Sequence, residues 1–181
     1  MAKIWPVYEG KEPTVGGPWV EMPLKEVIAI LNLRAEDFVS DLENTPKFGP
    51  QDRTLWHHGH KHVVVEVTPE EARREKWQPG FYLAKATPNE AFRALIQYTI
   101  ATALGPENVI RADYASTSDL TGRGALRITV VIAPEAVRTL RGQKALDALV
   151  ALKKRFLHLG EERTPTIEYT TEEELAQDAN S

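Results

Sequence analysis

Hydrophobic positions return along this chain at two different spacings, and the spacing names the element. From Ala91 to Leu104 they recur every third or fourth residue: Ala91, Phe92, Leu95, Ile96, Ala103 and Leu104. That is the period of an amphipathic helix. Thr87-Pro88-Asn89-Glu90 precedes it, with Thr at the N-cap, Pro at the first helical position and Glu at the third. Gly105-Pro106 stops it. The same start signal appears at Thr68-Pro69-Glu70-Glu71, before a short helix to about Lys76, and at Thr171-Glu172-Glu173-Glu174, before a terminal helix. Leu24, Val27, Ile28 and Leu31 predict a further helix after Pro23, and Phe38, Val39 and Leu42 another over 35–43. From Pro134 helix returns, breaks near Gly142 and resumes to Leu159, with Leu146, Leu149, Val150, Phe156 and Leu157 as its apolar stripe and Gly160 closing it.

Strand patterns lie between these helices. Val63, Val65 and Val67 share one parity, and Phe81-Tyr82-Leu83 is extended after the Pro79-Gly80 turn. Residues 108–115 and 125–133 read as two strands pairing antiparallel across STSDLTGRG, and 166–170 as a last strand. Residues 87–181 thus read α-β-β-α-β-α. Residues 1–86 differ: they hold all four tryptophans and eight of the twelve prolines. Pro at this density breaks regular elements, so 1–23 is extended and turn-rich, EPTVGGPW is a turn cluster and 45–52 is loop. The expected fold is α+β, with a mainly antiparallel mixed sheet packed by two longer helices. The expected organisation is two halves, 1–86 and 87–181, or one domain in which both share a core.

Composition adds bounds. With 181 residues the chain buries a core without staples, and with no cysteine it has no disulfide or thiolate zinc site. MAKIWPVYEG lacks a signal-peptide apolar run, and no segment has the ~20 apolar residues of a membrane helix. A soluble cytoplasmic protein without membrane partners is expected. Net charge is −4 but uneven: −3 over residues 1–90, +5 over 91–160 and −6 over 161–181. Such a basic block either meets an anionic partner or balances the acidic end within the fold.

Candidate chemistry centres on LWHHGHKHVVVEV, residues 55–67, which holds four of the five histidines. On a strand in phase with the valines, His57, Gly59 and Lys61 share the valine face, while His58, His60, His62, Val64 and Glu66 share the other. Alternate imidazoles on a strand stand ~6.6 Å apart along the backbone. Two of His58, His60 and His62 can therefore bracket a divalent metal, but only with a third ligand from elsewhere. A polar strand edge is the simpler reading, and no cofactor is expected. In RREKWQPGFYLAK, Arg73, Arg74, Lys76 and Lys85 can meet phosphates while Trp77, Phe81 or Tyr82 stack on bases; core packing explains the same aromatics. Arg123 in STSDLTGRG can join a phosphate cradle, though a hairpin connection accounts for the loop. The two helices over 23–43 could form a helix-turn-helix pair, but Glu36, Asp37, Asp41 and Glu43 on the second helix repel phosphate and argue against its entering a groove. Glu9-Gly10-Lys11 has a nuclease-like E-x-K form with no aspartate before it, and no G-x-S-x-G occurs. The leading expectation is therefore a non-enzymatic binding or accessory subunit of a larger cytoplasmic assembly, with another protein as partner. A metal-assisted hydrolase using the His-x-His strand and a nucleic-acid binder using residues 73–85 are the alternatives.

Overall fold

A computed structural model describes residues 1–5, 20–31, 63–84, 86–140 and 142–179. The turn cluster at 12–19, the helix expected over 35–43, the loop at 45–52, the histidines at 57–62 and Lys85 lie outside the described residues. The fold is α+β, with two sheets and all but one of the described strand pairings antiparallel. The chain forms two compact units, Met1–Ala94 and Leu95–Ser181.

The first unit is built on β1 (Ala2–Trp5), β2 (Val20–Met22), β3 (Val63–Val67) and β4 (Gly80–Ala84), in the order β2-β1-β3-β4. Register places Ile4 opposite Val65 and Val65 opposite Tyr82, and all three are buried. Ala2, Val63, Val67 and Ala84 continue that inward face. On the opposite parity Lys3 stands across from Glu66, and their charged ends lie 3.6 Å apart. Helices α1 (Leu24–Leu31) and α2 (Pro69–Glu75) meet each other. Leu24, Val27 and Ile30 are the buried face of α1; of the expected set only Leu24 and Val27 are in the core, while Ile28 and Leu31 are half-buried.

Glu71 departs from the local pattern. Its backbone N–H donates to Thr68 Oγ1 at 3.4 Å, which is half of a capping box. Its carboxylate, 1% exposed, points inward instead and accepts from the Leu24 backbone N–H and from Arg74 Nη1, both at 2.9 Å. The Met1 ammonium lies 3.0 Å away. One buried acid thus caps α1 from a distant point in sequence and ties it to α2 and β1.

The second unit has β5 (Val109–Ser118), β6 (Gly124–Ile132) and β7 (Thr164–Thr170) in that order, with β5-β6 antiparallel and β6-β7 parallel. Helix α3 (Pro88–Leu104) begins in the first unit's residue range and ends in the second's. Its Gln97 amide oxygen accepts from the Ala112 backbone N–H, next to a bulge at Ile110. The Thr87–Glu90 box that opens α3 is complete: Glu90 N–H donates to Thr87 Oγ1 and Thr87 N–H to Glu90 Oε2. The short α4 (Ala136–Thr139) and long α5 (Gly142–Leu159) carry the chain from β6 to its parallel neighbour β7, as a parallel pair requires. Leu126, Ile128, Val130 and Ile132 form the covered side of the sheet. Its other side is polar, with Asp113, Thr129 and Glu168 in one cross-strand row. Helix α6 (Glu172–Asp178) follows β7 and is opened by a complete capping box, Thr171 with Glu174.

Among the described residues no helix is long and apolar enough to cross a membrane.

Candidate docking face on a surface helix

Helix α5 lies along β7 and buries Ala148, Leu152, Phe156 and Leu159. The apolar stripe expected from the sequence is therefore corrected. Leu146, Val150 and Leu157 are exposed, by 52%, 43% and 78%, Leu149 is half-buried, and only Phe156 of the expected set lies in the core. Helical geometry explains the correction. At 100° per residue Leu146, Val150 and Leu157 fall within about 40° of one another, whereas Ala148, Leu152 and Leu159 fall on the opposite side. Phe156 and Leu157 are neighbours in sequence and cannot share a narrow stripe. The helix carries two apolar stripes, of which the sheet takes one.

The uncovered stripe has a distinct chemistry. Leu146, Val150 and Leu157 run along the outer face of the helix. Lys153 falls between Val150 and Leu157 on that line, with Lys154 on its flank, both exposed. Asp147 is the acid on this side, and its Oδ1 accepts from Gln143 Nε2 at 2.9 Å. Three exposed branched aliphatic side chains, with Lys153 among them and Lys154 and Asp147 on one flank, make this an uncovered amphipathic face.

The candidates read from sequence are placed as follows. Arg74 is committed to Glu70 and Glu71 at 3.0 and 2.9 Å. Arg73 Nε donates to the Pro69 carbonyl within its own helix. Lys76 is exposed and closes α2 in the left-handed region at φ 58. Tyr82 is 5% exposed, donates its hydroxyl to the Gln78 carbonyl and meets Trp77 edge-on at 6.1 Å between ring centroids. Burial raises the Tyr82 phenol above its ordinary value. Tyr82 is thus inside and Trp77 is half-buried, whereas Arg73 and Lys76 reach solvent.

Arg123 lies in the exposed turn between β5 and β6. The amides of Thr121 and Arg123 are taken by Asp119 Oδ1 at 2.8 and 2.9 Å, so the loop folds around its own carboxylate. Those donors hold the Asp119 carboxyl below its ordinary value, with the Thr121 hydroxyl contributing most. His58, His60, His62 and Lys85 lie outside the described residues; among the described residues no group of three or more His, Cys, Asp or Glu could hold a metal ion.

Sequence reading missed that this stripe is uncovered because both stripes of α5 are apolar. The available signal was the doubled period, 146/150/157 beside 148/152/159. No protein-family model, no curated protein and no solved structure matches this chain, so the site stands on its own geometry.

Proposed function

We propose that this protein is a non-enzymatic binding subunit of a larger cytoplasmic assembly, and that it docks a partner protein through the outer face of α5. The single observation that carries the reading is the exposed stripe Leu146, Val150 and Leu157 on a helix whose opposite face is in the core. The occupant that fits best is an amphipathic helix of another protein with acidic flanks. Apolar anchors would seat between Leu146, Val150 and Leu157, and carboxylates would meet Lys153 and Lys154. A second copy of the same face fits poorly: a two-fold axis near the middle of the stripe would bring Lys153 and Lys154 against their own counterparts.

A photocrosslinking side chain in place of Val150, used in the protein's own cells, tests this. The expected result is an adduct with one acidic protein that is lost in Lys153→Glu/Lys154→Glu, while thermal stability is unchanged. An adduct with another copy of this chain, an adduct indifferent to the charge reversal, or no adduct would overturn the reading.

A further inference from the structure

A second feature, separate from the docking face, lies where the parallel strands end. The C-terminal ends of β6 and β7, the short helix α4 and the start of α5 line a half-open cavity of about 290 Å³. Its walls are Ile132, Val137, Leu140 and Ala145, with Tyr169 on the β7 side. Tyr169 has the parity of the covered side of the sheet and stands opposite Val130. Its hydroxyl oxygen is buried and has no hydrogen-bond partner among the described residues. A buried hydroxyl without a partner is uncommon and calls for a reason. The carboxyl ends of parallel strands are also where open sheets with crossover helices bind small molecules.

We propose that this cavity is a binding site for a small neutral molecule with an apolar body and one carbonyl, whose oxygen accepts a hydrogen bond from Tyr169 Oη. The volume is at the lower end of ligand pockets, which suits a fragment of about nine non-hydrogen atoms. The rim selects against anions. Glu174 borders the cavity, and its carboxylate is already held by the Thr171 N–H at 2.8 Å and by the hydroxyls of Thr171 and Thr170 at 3.1 and 3.2 Å. It is therefore a fixed negative charge at the mouth. Among the described lining residues there is no cation: besides Tyr169 and Glu174, each is apolar, a glycine or a threonine.

Three probes of similar size separate the terms: acetophenone (carbonyl), ethylbenzene (none) and benzoate (anion). Each is titrated to low-millimolar concentration into the ¹⁵N-labelled full chain, with amide shifts as readout. Acetophenone is expected to move the amides of Val137, Leu140, Ala145 and Thr171, and to bind about fivefold to tenfold more tightly than ethylbenzene, as one neutral hydrogen bond implies. Benzoate is expected to leave them in place. Tyr169→Phe keeps the cavity's shape and should erase the preference for acetophenone while ethylbenzene binds as before. Leu140→Trp, which fills the cavity, should abolish both. Shifts elsewhere or none with acetophenone, a preference that survives Tyr169→Phe, or benzoate binding as well as acetophenone would overturn the proposal.

Discussion

At the scale of single residues, two buried polar groups lead to opposite predictions. The Tyr169 hydroxyl is buried with no partner among the described residues, and burial raises its phenol above the ordinary value. An unsatisfied buried polar atom costs about 1–3 kcal/mol. Tyr169→Phe should therefore raise stability of the unliganded protein by about 1 kcal/mol, or roughly 2–4 °C in a thermal melt. A lower melting temperature would show that the hydroxyl is bonded in solution. Glu71 is the reverse case, since its carboxylate is met by the Leu24 N–H, the Met1 ammonium and Arg74. The Leu24 N–H, foremost, holds it below its ordinary value of 4.5, with the Met1 ammonium and Arg74 acting in the same direction. Unfolding releases that carboxylate to its ordinary affinity for protons, so the stabilisation is complete above that value and is lost as pH falls through the lower, folded one. Glu71→Gln should cost about 2 kcal/mol at neutral pH. Its urea midpoint should converge on that of the unaltered protein as the pH is lowered below 4.5. A gap that does not change with pH would remove the charge from the explanation.

At the scale of elements, α5 is decided by which of its two stripes the sheet covers. Phe156 is 2% exposed and Leu157 is 78% exposed, although they are adjacent. Phe156→Ala should cost about 3–5 kcal/mol through the cavity it leaves. Leu157→Ala should stay within about 0.5 kcal/mol, as for a surface position. Paired chemical denaturation of the two variants checks this, and equal losses would mean that both stripes are covered. Local signals located the other elements well. The threonine boxes at Thr87 and Thr171 close as their spacing predicts, because each bond joins residues three apart. The box at Thr68 closes only halfway, because the competing donor for Glu71 is Leu24, forty-seven residues away.

At the scale of the whole molecule, charge is distributed by sequence block, with +5 over residues 91–160. The lysines at 153 and 154 belong to that block and border the uncovered stripe. If they steer an acidic partner, affinity should fall severalfold as salt rises, since screening shortens the reach of a charge from ~10 Å at 0.1 M to ~3 Å at 1 M. Isothermal titration with the crosslinked partner at two salt concentrations measures it. Affinity that is flat or rising with salt would assign the docking to the aliphatic side chains alone.

The sequence by itself determined the α+β class, the positions of most described helices and strands, the β5–β6 hairpin and two complete helix caps. These depend on hydrophobic period, turn chemistry and contacts within a few residues. Tertiary structure alone decided the rest: which stripe of α5 faces the sheet, the inward turn of Glu71 to Leu24, the parallel seat of β7 beside β6, and the cavity around Tyr169. In each case the deciding partner is distant along the chain, and local spacing cannot tell a buried apolar face from an exposed one when both are present.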